Sequence, residues 1–230
     1  VLRMKRRAFV SSLAAWPMAA AAAATSEETK IRAIAEGFLR EHGIQGMSIA
    51  YGREGKIDFE AGYGFADADA EETVTPQHRF RIASISKPIT STAVMMCIEK
   101  GLLQPDTKIF GPHGFLGGDY SGDVEAVTVD HLLTHTSGGW ANDKDDPMFK
   151  NPQMNHAELI AWTLANQKQT HKPGEHFAYS NFGYCVLGRV LEKVWKLPYD
   201  KFITQEVLSK CGITSMYIAN NTLAERQSQE

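Results

Sequence analysis

The sequence RIASISKP (residues 81–88) precedes an apolar run at 89–98, and it contains the pair around which we interpret the whole chain, Ser84 and Lys87. The run predicts a helix that begins at Ser84 and stops at Gly101. Residues three apart share one face of a helix, so the Ser84 hydroxyl and the Lys87 amine should point the same way. A lysine held close to a serine can take its proton and make it a nucleophile. A single Ser-x-x-Lys pair is weak support for catalysis, because chance alone places about one in a chain of this length.

The segments before this stretch predict one helix and two strands. The helix begins with a capping box, TSEE (residues 25–28), carries apolar residues at helical spacing and ends at Gly43. Two strands, at 47–51 and 57–63, flank GREG (residues 52–55), a turn with glycines where positive φ is needed. This part of the chain is expected to form a helix laid on an antiparallel sheet.

The segments after the hairpin are predicted to be mainly helical. Residues 66–76 are acidic and polar, which indicates a surface loop. Helices are then predicted at 128–135, 155–164, 182–195 and 199–208, in addition to the one that carries Ser84 and Lys87. Strands that come first and helices that come after them predict an α+β fold.

The composition is that of a globular protein, because 43% of the 230 residues are hydrophobic. The net charge is −3, and the first 25 residues contribute four basic side chains and no acidic one. Without them, 20 basic and 27 acidic side chains leave a net charge of −7. A mildly acidic chain with no further basic cluster lacks the charge pattern of a nucleic-acid-binding protein, so we expect no nucleic-acid partner.

The first 25 residues have the three parts of a secretory signal. KRRAF (residues 5–9) supplies the basic start, and an alanine-rich run to Ala24 supplies the apolar middle and the small-residue end. Paired arginines shortly before a phenylalanine resemble a twin-arginine signal, the address of a bacterial export route. A membrane anchor is the alternative, but the run is short, weakly apolar and contains Pro17. We therefore expect a cleaved signal, no stable membrane span afterwards and a periplasmic or extracellular location.

The cysteines and histidines of the sequence do not form a recognisable metal-binding motif. Cys97, Cys185 and Cys211 are odd in number and form no Cys-x-x-Cys pair, so at least one is free or pairs with another molecule. His131 and His135 are four apart, as zinc ligands on a helix can be, but the glutamate of a His-Glu-x-x-His motif is absent. We therefore interpret the two histidines as part of a structural turn and expect no metal site.

A second group of candidate residues lies 95 positions after Ser84, where Tyr179-Ser180-Asn181 precedes a predicted helix. A tyrosine can act as a general base when neighbouring ammonium groups lower its pKa. An asparagine amide can both donate to and accept from a substrate amide. Tyr179 and Asn181 could therefore complete a site that begins with Ser84 and Lys87.

These motifs stand in an order that resembles the serine beta-lactamase and penicillin-binding-protein-like hydrolases. The order is Ser84-x-x-Lys87, HLLTHTSG (residues 131–138), Pro173-Gly174, Tyr179-x-Asn181 and FGY (residues 182–184). The resemblance covers roughly residues 27–218 and is nearest to the class C branch, which also includes DD-peptidases and short-chain esterases. It implies an α/β sandwich with an antiparallel sheet plus an all-helical domain. With residues 1–25 as the export signal, residues 26–83 would form the N-terminal helix and first strands, and residues 84–230 the mainly helical region.

The resemblance also implies a role for each candidate residue. Ser84 would be the acylated nucleophile, with its backbone N–H as one half of the oxyanion hole, and Lys87 would be its proton partner. Tyr179 would serve as general base and later as acid, and Asn181 would orient the substrate and Lys87. The implied reaction is the hydrolysis of a beta-lactam, a D-Ala peptide or a short-chain ester through an acyl-enzyme, without a cofactor. The substrate would be a small molecule or derived from peptidoglycan, and the oligomeric state stays open.

The sequence departs from the family in one respect. The family carries a third motif, Lys-Thr-Gly or His-x-Gly, on a strand beside the serine, and the only match after Asn181 is Lys210-Cys211-Gly212. We interpret that match as the end of a helix, where glycine is the expected cap. The departure predicts a C-terminally truncated chain with an unpaired sheet edge and low stability. The alternative function is therefore a catalytically impaired fragment, or a penicillin- or peptidoglycan-binding relic without turnover.

Overall fold

A helix and antiparallel strands come first in the part of the chain that the structure describes, and most of the later elements are helices. The computed structural model describes residues 25–120 and 122–219, which fall into two compact units divided between Arg79 and Phe80. The α+β class predicted from the sequence is confirmed by these elements. The predicted export signal lies outside the described residues, apart from Thr25.

The first helix, α1 (Ser26–His42), has the capping box that the sequence predicts. The Thr25 hydroxyl accepts from the Glu28 N–H at 3.2 Å, and the Glu28 carboxylate accepts from the Thr25 N–H at 2.7 Å. Two of the donors that every helix start leaves without a backbone partner are satisfied in this way. The helix ends at Gly43, whose φ of 62° lies in the left-handed region that glycine adopts without strain.

Two strands come after α1 and form a hairpin, β1 (Gly46–Arg53) and β2 (Lys56–Asp67). The connection is the two-residue turn Glu54-Gly55, with φ of 50° and 76°, which matches the twist of the flanking strands. The prediction that Gly52 belongs to the turn is wrong, because Gly52 lies in β1 at a bulge. A Cβ at this position would come within 2.3 Å of the Lys56 carbonyl oxygen, so glycine is needed for close approach of the strands.

The sheet has a third strand that the sequence did not predict, β3 (Glu72–Thr73). Strand β2 continues to Asp67 and pairs with β3, so residues 66–76 are only partly the expected loop. His78 connects β3 to the segment that follows it. Its Nδ1 accepts from the Thr75 N–H at 3.0 Å, and its Nε2 lies 3.0 Å from the Glu72 carboxylate. The pairing of β2 with β3 depends on contacts between the two strands. The two polar residues of β3, Glu72 and Thr73, give no sequence signal for a strand.

The second unit begins with a 3-10 turn, Ala83–Ile85, which leads into helix α2 (Ser86–Glu99). The α-helix therefore begins two residues later than predicted, because Ser84 lies in the 3-10 turn. Residues three apart still lie above one another in a 3-10 turn, so the expected juxtaposition of Ser84 and Lys87 is preserved. Pro88 fits the first turn of α2, where its missing N–H would have no intrahelical partner.

Helix α2 packs against α6 (Asn181–Trp195) in the core of the second unit. The helices after α2 are α3 (Val129–Leu133), α4 (Pro147–Lys150), α5 (His156–Asn166) and α6 (Asn181–Trp195), with a 3-10 turn at Gly122–Ala126. Thr128 and Asn155 cap α3 and α5 through their side-chain oxygens. The fully buried side chains of this core include Ala93, Val94, Cys97, Leu132, Phe182, Val186, Leu187, Val190, Leu191 and Phe202.

The last helical segment changes pitch along its length. It starts as α7 (Tyr199–Phe202), continues as a π-helix at Ile203–Leu208 and closes as a 3-10 turn at Ser209–Cys211. The prediction of one helix at 199–208 is therefore correct in position. The segment is an α-helix only at Tyr199–Phe202 and a π-helix in the rest of the predicted range. Gly212 ends the segment with φ of 73°, which confirms the interpretation of Lys210-Cys211-Gly212 as a helix stop. Across the described residues, no helix combines the length and apolar character needed to cross a bilayer.

Candidate active site

Ser84 and Lys87 lie in contact at the start of α2. Lys87 Nζ donates to Ser84 Oγ at 3.1 Å, and Ser84 is exposed. Ala83, which directly precedes the serine, has φ of 43°, a left-handed conformation that is unfavourable for a residue with a Cβ. The pair thus has the geometry needed for proton transfer, on a backbone segment held in an unusual conformation.

Asn181 joins this pair from the start of α6. Its side-chain Oδ1 accepts from Lys87 Nζ at 2.7 Å. The helix is capped by Ser180, whose Oγ accepts from the Gly183 N–H at 3.0 Å and whose side chain is buried. Because the cap determines where α6 begins, it also determines where the Asn181 side chain leaves the backbone.

Two aromatic rings lie beside the Lys87 ammonium group. Its Nζ is 4.6 Å from the centre of the Tyr179 ring and 5.6 Å from that of Tyr184. Hydrogen bonding to Lys87 first, and to Ser84 second, lowers the pKa of the half-buried Tyr179 hydroxyl from its ordinary value of 10.0. All four residues predicted for the site, Ser84, Lys87, Tyr179 and Asn181, therefore lie together.

The segment HLLTHTSG (residues 131–138), which begins in the last turn of α3, contacts Tyr179 and its neighbours through His135. His135 Nδ1 accepts from the Ser180 N–H at 3.1 Å, the His135 carbonyl accepts from the Ala178 N–H at 2.7 Å, and its ring lies 4.4 Å from the Tyr179 ring. Burial, and secondarily the Lys87 charge, lowers the pKa of His135 from 6.5, so the ring is held in its neutral form. The residue was not predicted as part of the site, although its place in the motif was a signal.

The other histidine of this motif has a different partner. His131 Nδ1 accepts from the Thr128 N–H at 3.2 Å and so completes the cap of α3. Ser137 and Trp140 are buried, and their side chains donate hydrogen bonds to the Gly139 and Gln167 carbonyls. Within residues 25–120 and 122–219, no three His, Cys, Asp or Glu side chains are arranged to hold a metal ion.

Asp146 is a further site residue that sequence reasoning missed. Its Oδ2 accepts from Asn181 Nδ2 at 2.9 Å, and its Oδ1 accepts from the Met148 N–H at 2.8 Å, which caps α4. The residue is only 1% exposed. An aspartate directly before Pro147 is a typical helix start, so the sequence contained a signal for the cap but none for the contact with Asn181.

The three cysteines are free thiols outside this group of residues. Cys97 is buried on α2, Cys185 is half-buried on α6, and Cys211 is exposed. Burial raises the pKa of Cys97 above its ordinary value and raises that of Cys185 to about 11. The two helical thiols are therefore protonated near neutral pH and behave as small apolar side chains.

Comparison with known proteins places this arrangement in a family. The family model described as Beta-lactamase matches residues 31–229. Protein flp of Staphylococcus aureus strain NCTC 8325 is 30% identical over 189 residues, which is 81% of this chain. The chain spans 37% of the length of that curated relative.

The fold is shared with solved structures of related proteins. The octameric penicillin-binding protein homologue from Pyrococcus abyssi has a TM-score of 0.67 and 31% identity, over 80% of this chain and 43% of its own. A class C beta-lactamase has a TM-score of 0.67 and 25% identity, over 84% of this chain and 52% of its own. The resemblance seen in the motifs is confirmed by these matches, and the chain belongs to the beta-lactamase family of serine hydrolases.

Proposed function

We propose that the chain is a serine hydrolase that forms an acyl-enzyme at Ser84, with Lys87, Tyr179 and Asn181 as its other catalytic residues. The observation that carries the proposal is the position of Lys87 Nζ, 3.1 Å from Ser84 Oγ and 2.7 Å from Asn181 Oδ1. At these distances the Lys87 ammonium group can stabilise the negative charge that develops on Ser84 Oγ as its proton leaves for Tyr179 and its oxygen attacks a carbonyl carbon.

In the acylation step, a bond forms between Ser84 Oγ and the substrate carbonyl carbon, and the hydroxyl proton moves to the Tyr179 oxygen. The tetrahedral intermediate then expels a nitrogen or oxygen leaving group, which receives that proton from Tyr179. In deacylation, Tyr179 takes a proton from the attacking water and returns it to Ser84 Oγ as the acyl bond breaks. The lowered pKa of Tyr179 supports this role, because it increases the fraction of the basic phenolate near neutral pH.

The developing oxyanion needs donors close to Ser84. We assign one of them to the backbone N–H of Ser84, at the 3-10 turn that leads into α2. The positive φ of Ala83 supports the assignment, since backbone strain of this kind concentrates at functional sites.

The substrate that we propose is a small molecule with a reactive carbonyl: a beta-lactam, a D-alanyl peptide or a short-chain ester. Similarity to a penicillin-binding protein homologue and to a class C beta-lactamase supports the beta-lactam as the first candidate. The substrate would contribute the acyl group, and the side chains of the site would contribute the nucleophile, the base and the orienting amide.

Labelling with a fluorescent penicillin and subsequent peptide mapping test the proposal. We expect the label on Ser84 and its loss in Ser84→Ala. Ser86→Ala is the matched control, because Ser86 is an exposed serine at the start of the same helix and should not affect labelling. A label that persists in Ser84→Ala, or that maps to another peptide, would overturn the proposal for this substrate class. Parallel assays with a chromogenic cephalosporin, a D-alanyl-D-alanine peptide and a p-nitrophenyl ester separate the three substrates.

A second candidate function is acylation without turnover. Within the described residues, the Lys210-Cys211-Gly212 match lies at the end of a 3-10 turn rather than on a strand, and this position favours the second candidate. In the family, the strand with the Lys/His-x-Gly motif supplies the second oxyanion donor. One equivalent of labelled Ser84 that persists for hours supports binding without turnover, whereas repeated cycles per molecule support the hydrolase.

We also propose that the chain is exported, on the basis of the signal-like sequence at residues 1–25. Expression of the chain with this segment in a bacterium, with cell fractionation and mass spectrometry of the N-terminus, tests the export. We expect a shortened protein in the periplasm or medium. A full-length protein that stays in the cytoplasm would contradict it.

A further inference from the structure

The Asn181 side chain lies between two partners that impose opposite requirements on it. Its Oδ1 faces Lys87 Nζ at 2.7 Å, and its Nδ2 faces the Asp146 carboxylate at 2.9 Å. A lysine ammonium group can only donate, and an ionised carboxylate can only accept. The amide therefore satisfies both partners in one orientation and neither of them when it is rotated by half a turn.

Nothing in asparagine itself selects that orientation. The terminal torsion of an amide side chain is broad and nearly two-fold, so its oxygen and nitrogen can exchange places at little intrinsic cost. The choice must come from the surroundings. Lys87 alone is a weak guide, because its long side chain can move away, whereas Asp146 is 1% exposed and uses both carboxylate oxygens.

We infer that Asp146 is a positioning residue, which orients the Asn181 amide so that its oxygen faces Lys87 and holds the lysine against Ser84. The role rests on the proposed function, since it concerns the acylation of Ser84. Asp146 acts through Asn181, and the described contacts of its side chain are with Asn181 and Met148. Its own position is determined by the start of α4, where it forms the N-cap.

The Asp146→Asn substitution tests this role with little effect on α4. Asparagine caps helices as well as aspartate does, so the introduced oxygen can still accept from the Met148 N–H. The introduced amide nitrogen then faces Asn181 Nδ2, donor against donor. If Asn181 rotates to relieve this contact, its own nitrogen faces the Lys87 ammonium group. One of the three contacts must fail, and we expect acylation of Ser84 to slow by about 10²-fold, the order that misplacement of a reacting group causes.

A second substitution should restore the network. With Asp146→Asn in place, Asn181→Asp supplies a carboxylate that accepts from both the introduced amide and Lys87. Asn181→Asp alone instead sets two carboxylates against each other. We expect the double variant to acylate at least about tenfold faster than the slower single variant, because contacting residues couple by free energies of this order. Losses that multiply in the double variant would overturn the inference.

The matched control is Asp145→Asn, which removes a neighbouring carboxylate that is exposed and paired with Lys150. It should leave the acylation rate and the melting temperature close to those of the unchanged chain. Asp146→Asn should also melt within a few degrees of the unchanged chain. A large loss of stability in Asp146→Asn with a normal rate per folded molecule would show a structural role and overturn the inference.

A readout that does not need a substrate keeps the two proposals apart. In ¹H–¹⁵N spectra, the Asn181 side-chain amide signals should shift in Asp146→Asn and not in Asp145→Asn. If penicillins, peptides and esters all fail to acylate the unchanged chain, the proposed function fails, and this spectral comparison still tests whether Asp146 contacts the Asn181 amide. If the unchanged chain is acylated while Asp146→Asn reacts at the same rate, the inference fails and the proposed function stands.

Discussion

Lys87 Nζ donates a hydrogen bond of 2.7 Å to Asn181 Oδ1, although the two residues are 94 positions apart in the chain. The bond joins the first turn of α2 to the first turn of α6, two helices that pack against each other in the core. The bond holds the Lys87 ammonium group between the Asn181 amide and Ser84, which lies in the 3-10 turn before α2. The consequences can be tested one residue at a time.

Removal of the Lys87 ammonium group should abolish most acylation. Lys87→Met keeps the apolar stem, and we expect kcat/KM to fall by about 10²–10⁴-fold, the usual contribution of a positioned acid or base. The pKa of Tyr179 should rise, because the hydrogen bond that does most to lower it is lost. An ultraviolet titration of phenolate absorbance checks this. Lys100→Met, at the exposed end of the same helix, is the control, and an unchanged rate in Lys87→Met would contradict the assignment.

The acylation rate should depend on pH through Tyr179. The phenolate is the proposed base, so the rate should rise with pH as the Tyr179 proton is lost, with a midpoint below 10.0. Tyr179→Phe should lower the rate by about 10²–10⁴-fold and remove this limb of the profile. In Tyr120→Phe, where the altered ring packs on Phe110, the limb should remain. If the rise of the acylation rate with pH persisted in Tyr179→Phe, it would come from another titrating group, and the assignment of Tyr179 as the base would be wrong.

His135 should make the stability of the chain depend on pH. Its folded-state pKa is lowered below 6.5, so the unfolded chain takes up a proton at a higher pH than the folded one. The free energy of unfolding should therefore fall as the pH falls below 6.5. His135→Asn keeps an acceptor for the Ser180 N–H and tolerates φ of 59°, so its decline should be shallower.

Urea unfolding between pH 7 and 5 measures this effect. A residual decline is expected in His135→Asn, because burial also lowers the pKa of His156. His113→Asn, which alters an exposed histidine, should behave like the unchanged chain. Identical slopes for the unchanged chain and His135→Asn would refute the prediction.

Gly138 should be intolerant of any side chain. Its φ is 88°, and a Cβ would come within 2.2 Å of the His171 carbonyl oxygen. We expect Gly138→Ala to lower the free energy of unfolding by at least about 2 kcal/mol. Gly188→Ala is the matched control on α6, where a Cβ would meet the Tyr199 ring at an ordinary 3.6 Å. Calorimetry or urea unfolding should show that variant to be neutral or slightly stabilised.

Local chemistry explains why several elements could be predicted. The capping boxes at Thr25 and Asn155 and the glycine at 43 satisfy groups within the same turn, so the helix ends are encoded in neighbouring residues. The Ser84 and Lys87 contact belongs to this class, because a spacing of three brings side chains together in either kind of helix.

Other features depend on residues that are distant in sequence. Strand β3 exists through its pairing with β2, and the two polar residues 72 and 73 carry no strand signal of their own. The π-helix at Ile203–Leu208 places Ile203, Val207 and Leu208 in the core, and packing rather than propensity accounts for it. The pattern of apolar residues does not distinguish β3 from a loop, and it does not distinguish the π-helix from an α-helix.

The candidate site divides in the same way. The residue types, their order along the chain and the adjacency of Ser84 to Lys87 were readable from the amino acids, because motifs and helix spacing act over a few residues. The contacts of Asn181 with Lys87 and Asp146, and of His135 with Tyr179, arise where segments 35 to 94 positions apart meet. Such contacts depend on the packing of α2, α4 and α6, and no local pattern encodes them, because hydrogen-bond partners are chosen by distance in space.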